Sequence, residues 1–219
     1  MRWSLPNILT VFRLAAAPAL AVVYLLLPHP LADWAALALF LGAAATDWLD
    51  GRIARAWGQV SRMGAMLDPI ADKAMVAVAL LVLVAFSSYS GWILLPAALI
   101  LFREVFVSGL REYLGAAAGT LKVTRLAKWK TTLQMVAVAV LFAHGIFEHH
   151  FGMIAMGMDR PLVEDILSGR EEDLHGLRLL LAGALWTGQG GVALLWLSAA
   201  LTLWTGWEYF RKAVPYLKD

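Results

Sequence analysis

Four aspartates carry the chemistry this chain could perform. They stand in the stretch DWLDGRIARAWGQVSRMGAMLDPIADK as Asp47, Asp50, Asp68 and Asp72. On a helix, Asp47 and Asp50 are three residues apart and share a face, and Gly51 and Ala54 fall on the same side. Two carboxylates are thus framed by residues with almost no side chain, so a bulky polar ligand could lie against the backbone. Asp68 and Asp72 are four apart and stack on one face of the next helix. Pro69 is expected in the first turn of that helix, and Gly64 in the connector before it. Two helices joined by a short linker can bring all four carboxylates together. Near lipid, an ionised Asp at a helix centre costs about 2.5–3.5 kcal/mol, and mutual repulsion adds to that. Divalent cations remove both penalties, and an all-oxygen donor set points to hard ions, Mg2+ or Mn2+, rather than zinc. The plainer reading pairs these acids with Arg52, Arg55, Arg62 and Lys73 as solvated helix ends. It gives no reason for Gly51, Ala54 and Gly64 to accompany them.

The elements that must position these acids are membrane helices. Of 219 residues, 61% are hydrophobic and 16% are charged, against about 45–50% and 25% in soluble domains. Lipid has to cover that apolar surface, which makes the chain an all-α polytopic membrane protein, read as a single domain over residues 1–219. Six stretches are long enough to span: Ile8–Leu27, Leu31–Arg55, Asp68–Ser87, Trp92–Leu114, Ala127–Phe147 and Gly190–Arg211. The first is read as a retained helix rather than a cleaved signal, because Arg13 interrupts the apolar run that a signal peptide would need. With the N-terminus inside, 15 of the 18 Lys and Arg fall on one side, leaving only Arg160, Arg170 and Arg178 on the other. That bias places both termini in the cytoplasm, with the acids at the cytoplasmic edge of the cell (inner) membrane.

The stretch 144–189 is expected to be an external loop with a short interfacial or re-entrant helix, since its apolar run Leu177–Trp186 is too short to span. His149 and His150, beside Glu148, could bind metal there, although solvated loop residues are the plainer reading. The chain has no cysteine, which excludes disulfides, thiolate nucleophiles and Cys-based metal sites. Trp3, Trp34, Trp92, Trp129 and Trp207 lie near the expected span ends, as an aromatic belt requires. A cation transporter is the rival from another class, but such sites sit near the midplane with broken helices or internal repeats, and no repeat is visible here. Nothing in the chain points to nucleic acid as a partner.

The acid stretch is similar to the CDP-alcohol phosphatidyltransferase family. It matches the family pattern D-x2-D-G-x2-A-R-x8-G-x3-D-x3-D at Asp47, Asp50, Gly51, Ala54, Arg55, Gly64, Asp68 and Asp72. LPNILTVFR (Leu5–Arg13), REVFVSGLREYL (Arg103–Leu114) and KWKTTLQM (Lys128–Met135) resemble the branch that uses glycerol 3-phosphate as acceptor. The resemblance implies two metal ions held by Asp47, Asp50 and Asp68, with Asp72 as general base lying near metal. It implies a CDP-diacylglycerol site lined by Gly51, Ala54 and Arg55 with Gly64, which Asn7 and Thr10 reach from the first span. It also implies a homodimer. A phosphorylated acceptor needs cations, and Arg103, Arg111, Lys128 and Lys130 are the candidates. Arg103 interrupts an apolar span, which is costly unless it is paired or binds an anion. The alternative for Arg103 is a pair with Glu104 or another acid. For the lysines it is a role as positive-inside markers or contacts to anionic lipid. Serine, inositol phosphate or phosphatidylglycerol as acceptor would share the aspartates and differ after Asp72.

Overall fold

The computed structural model describes residues 5–57, 62–115, 119 and 125–217; the side chains of 5, 6, 47–57, 62, 65 and 125–128 lie outside the description. The described residues form helices and no strand. These are α1 (Leu5–Leu26), α2 (Leu31–Trp57), α3 (Arg62–Phe86), α4 (Ser90–Leu114), α5 (Arg125–Met156), α6 (Arg160–Ser168) and α7 (Leu177–Ala213), followed by the 3-10 turn Val214–Tyr216. Helices are the expected outcome, because a backbone in hydrocarbon must satisfy its own hydrogen bonds. Five of them are long and apolar enough to cross a membrane, over Asn7–Leu26, Met66–Phe86, Ser90–Leu114, Trp129–Met156 and Leu177–Tyr216. In α2 the apolar part among the described residues is Leu31–Thr46.

The packing is layered around α1 and α5. Helix α1 lies against α2 and α3, while α5 makes its most extensive pairing with α7 and also meets α2 and α3. Helix α4 bridges α3 and α7. A continuous core of Leu20, Phe40, Met75, Leu80, Ile100, Phe142 and Leu195 joins six of these helices. Large apolar side chains such as Leu26, Phe102, Leu179 and Trp186 point outward, as expected for surfaces facing lipid. Trp34, Trp92, Trp129 and Trp207 are likewise exposed. Trp3 lies outside the described residues.

Two expectations are corrected. Helix α3 begins at Arg62, so Gly64 sits in its first turn rather than in a connector, and Pro69 lies inside the helix. Proline removes one backbone bond to the carbonyl four residues earlier, a loss that membrane helices tolerate when neighbours re-satisfy it. The stretch 144–189 is not mainly loop. Its beginning completes α5, its end opens α7, and only the short α6 and its flanking turns lie between. The glycines of TGQGG, at the boundary of the expected loop and last span, are where α7 receives its neighbours. A Cβ at Gly188 would come within 2.6 Å of the Tyr89 ring, and one at Gly191 within 2.8 Å of Leu141. Close packing through small residues outweighs their weak helix propensity. His144, read as a loop residue, is buried in the same interface. Its Nδ1–H donates to the Ala184 carbonyl at 2.9 Å, and the Ser88 hydroxyl lies 3.1 Å from its Nε2. Helix α6 stops at Gly169, whose φ of +86° a residue with a Cβ adopts only at a cost.

Candidate active site

Asp68 and Asp72, one turn apart on α3, converge on a single cation from α1. The Arg13 guanidinium reaches Asp68 Oδ1 through Nη2 at 3.3 Å and Asp72 Oδ1 through Nη1 at 3.1 Å. Thr10, one turn before Arg13, donates its hydroxyl to the same Asp68 oxygen at 2.8 Å. The arginine is 2% exposed, whereas the two carboxylates are about half exposed. Helix α1 therefore supplies a buried counter-charge beneath acids that open outward. Asn7, a further turn back on α1, is buried. Asp47, Asp50, Gly51, Ala54 and Arg55 fall in the C-terminal turns of α2, and their side chains lie outside the described residues.

Asp72 also forms part of the wall of a cavity of about 590 Å³ between α3, α4 and α5. Its lining combines the charged Asp72, Lys73, Glu104, Glu112 and Lys130 with apolar residues that include Val76, Leu101 and Val105. Such a lining suits a molecule with a charged head and a hydrocarbon body. Across the cavity, Lys73 bonds the Ser108 hydroxyl, and Lys130 bonds Glu104 Oε1. Glu104 accepts from Arg103 as well, at 2.9 Å, and Arg103 Nη2 donates to Thr205 at 3.3 Å.

The structure thus divides the expected cationic set. Lys130 shares the cavity with Asp72. Arg103 points to the α7 side, over Gly206, in an apolar groove with Phe106 and Trp207, and reaches the cavity only through Glu104. Arg111 lies over the Tyr209 ring, 5.6 Å from its centroid. The Lys128 side chain is outside the described residues. The pairing of Arg103 with Glu104 is the alternative that the sequence offered for it.

The sequence reading gave no place in the site to Arg13 or Ser108, and it named Glu104 only as an alternative partner for Arg103. The signal for Arg13 was available, since it interrupts an apolar span just as Arg103 does. The donor set on α3 fits a hard divalent cation. Both acids are oxygen ligands, lie on one helix face and open outward.

Comparison with known proteins places the chain in a family. The family model for CDP-alcohol phosphatidyltransferase matches residues 3–162, which take in α1 to α5. The chain belongs to the CDP-alcohol phosphatidyltransferase family. Among curated relatives, a CDP-diacylglycerol–glycerol-3-phosphate 3-phosphatidyltransferase of Cereibacter sphaeroides is 55% identical, covering 100% of this chain and 99% of its own length. A protein of the same name from Escherichia coli K12 is 35% identical over the full length of both chains. The matched segment of the CDP-alcohol phosphatidyltransferase family contains Asp47, Asp50, Asp68 and Asp72. The matched segment also includes Arg13 and Glu104, and it ends before α7.

Proposed function

We propose that this chain transfers the phosphatidyl group of CDP-diacylglycerol to the sn-1 hydroxyl of glycerol 3-phosphate, giving phosphatidylglycerophosphate and CMP. The observation that carries this reading is Asp72, whose carboxylate stands on the wall of an amphiphilic cavity with Lys130 nearby. Similarity to full-length relatives named for that activity supports the choice of acceptor. Asp72 takes the proton of the acceptor hydroxyl as its oxygen attacks the β-phosphorus, and the bond from that phosphorus to the CMP oxygen breaks. Arg13 holds Asp72 on the helix face from which it acts. Asp47, Asp50 and Asp68, with Asp72 at the margin, would hold two Mg2+ or Mn2+ ions. When bound, such ions spread the charge of the diphosphate. Gly51, Ala54, Arg55 and Gly64, with Asn7 and Thr10, line the nucleotide side. Lys130 meets the acceptor phosphate directly and Arg103 positions Lys130 through Glu104, while the assignment of Arg111 and Lys128 to the same phosphate rests on the sequence alone.

In the same reading the protein is a homodimer of the cell (inner) membrane with six spans, both termini and the active site facing the cytoplasm. Helix α2 is the sixth span, since its 27 residues make about 40 Å at 1.5 Å each. The basic bias of the sequence supports the orientation. The test is transfer of the phosphatidyl group from CDP-diacylglycerol to labelled glycerol 3-phosphate by the purified protein in detergent, with and without Mg2+ or Mn2+. Metal-dependent formation of phosphatidylglycerophosphate is expected. Transfer to serine with no transfer to glycerol 3-phosphate would make the acceptor assignment wrong.

A further inference from the structure

A second cluster of ligating side chains lies far from the acid motif. His29 stands in the connector after α1, Asp33 in the first turn of α2, and His149 on α5. The Nδ1 atoms of His29 and His149 are 2.8 and 3.0 Å from the same oxygen, Asp33 Oδ2. The three ligand atoms all lie within 4.8 Å of one another. The two imidazoles stack with centroids 4.0 Å apart and planes 11° from parallel. Asp33 and Asp47 are both on α2, fourteen residues or about 21 Å of helix apart, so this cluster sits at the opposite end of the bundle.

The site is built rather than incidental. The Asp33 side chain is 2% exposed, and both imidazoles face its Oδ2. Its other oxygen accepts the Tyr24 hydroxyl at 2.9 Å, the kind of outer contact that orients a ligating carboxylate. Gly145 makes the approach of α5 possible, because a Cβ there would fall 2.5 Å from Asp33 Oδ1. One turn later, that approach puts His149 on the carboxylate. Around an ion bound at roughly 2.0–2.2 Å, tetrahedral ligand atoms stand about 3.3 Å apart, so each imidazole nitrogen must draw back from Asp33 Oδ2 by about 0.3–0.5 Å, and the two rings must tilt out of their stack for both lone pairs to meet the ion. Two imidazoles and one carboxylate suit a first-row ion of the zinc class, not the hard ions expected at the acid motif.

We propose that His29, Asp33 and His149 form a zinc-class site that clamps the α1–α2 connector and α2 to α5. Without metal, the Nδ1–H groups donate to Asp33, and that of His149 also faces the Gly145 carbonyl at 2.8 Å. On binding, each neutral ring carries its proton on Nε2 instead, by exchange with water, and its Nδ1 lone pair meets the ion. Asp33 Oδ2 is the third ligand, and a fourth position is left for water. No net proton is released.

The test uses the full-length protein in detergent, stripped by chelator and given Co2+ as the probe with Mg2+ in large excess. One Co2+ per chain with the intense visible bands of low-coordinate Co2+, lost on adding Zn2+, is the expected result. His149→Ala and the double variant with His29→Ala should weaken binding at least tenfold and lose the bands. His150→Ala should keep them, because His150 bonds the Ile146 carbonyl instead. Unliganded melting in detergent shows whether each variant is folded. The pale spectrum of hydrated Co2+ in the wild type overturns the site whatever the variants do. So do bands that survive in the double variant. In either case the trio is a hydrogen-bonded carboxylate only.

Discussion

Replacing Lys130 with methionine isolates one contact of the proposed acceptor site. The ammonium is 8% exposed, shares a cavity with Asp72 and is held by Glu104. Methionine keeps most of the stem and removes the charge and the donors. Glu104 retains Arg103 at 2.9 Å, so the change does not strand a buried carboxylate. A hydrogen bond to a charged group contributes about 1.5–3 kcal/mol. At about 1.4 kcal/mol per factor of ten, that raises the KM for glycerol 3-phosphate roughly 10- to 150-fold. If Lys130 binds the phosphate equally in ground and transition states, kcat changes little. The assay is initial-rate transfer in mixed micelles, with each substrate titrated at saturation of the other. The KM for CDP-diacylglycerol should stay within about twofold if the contact belongs to the acceptor. An acceptor KM unchanged in Lys130→Met, or a lipid KM that rises equally, refutes the assignment. Arg103→Ala provides the contrast: it should raise the acceptor KM by a smaller factor, because it acts through Glu104 and not on the cavity wall.

Asp72→Asn should cut turnover by about 10²–10⁴-fold, the usual worth of a general base, while metal-dependent CDP-lipid binding persists. Loss of both together, in equilibrium binding and rate measurements, would contradict the base role. Arg13→Met removes the cation that Asp68 and Asp72 share, so the thermal midpoint in detergent should fall by an amount equivalent to about 1.5–3 kcal/mol at most, since both carboxylates are half exposed. Added Mg2+ should restore much of it, and a midpoint indifferent to both changes would show that the pair contributes nothing. Asp173 caps α7 by accepting the backbone N–H groups of Leu177 at 2.8 Å and Arg178 at 2.9 Å. The Arg178 backbone bond leads the causes that hold its carboxyl below the ordinary 3.8. A lowered folded-state value means the cap is fully present above that ordinary value and is lost as pH falls through the lowered one. Amide-exchange protection of Leu177 and Arg178, corrected for intrinsic rate, should therefore decay only below about pH 4 and be absent at all pH in Asp173→Ala.

Much of the helical frame was legible because hydrocarbon leaves the backbone few options. The expected span Trp92–Leu114 became Ser90–Leu114, and Ala127–Phe147 became the core of Arg125–Met156. The errors arose where a residue's meaning depends on what packs against it. The last span was expected to open at Gly190, yet α7 runs from Leu177 through Gly188 and Gly191, whose missing side chains leave room for Tyr89 and Leu141. Pro69 looks like a first-turn residue, yet α3 starts a full two turns earlier. The shared helix face of Asp68 and Asp72 was legible from spacing alone. The division between Lys130 and Arg103 was not, because it depends on which side of α4 each cation approaches. His149 could not be matched to Asp33 from sequence, since only the α2–α5 crossing at Gly145 brings them together.

The lengths of α5 and α7, 32 and 37 residues, correspond to about 48 and 55 Å at 1.5 Å per residue. A hydrocarbon slab is only about 30 Å thick, so both rods must lean or overhang it. They grip each other along their shared flank, so they lean or overhang as one body. A thicker or thinner bilayer would then be absorbed at the ends of this pair, while the α1–α3 contact that holds Arg13 against its acids keeps its geometry. The protein could thus keep its reactive groups in register with one leaflet across membranes of differing depth.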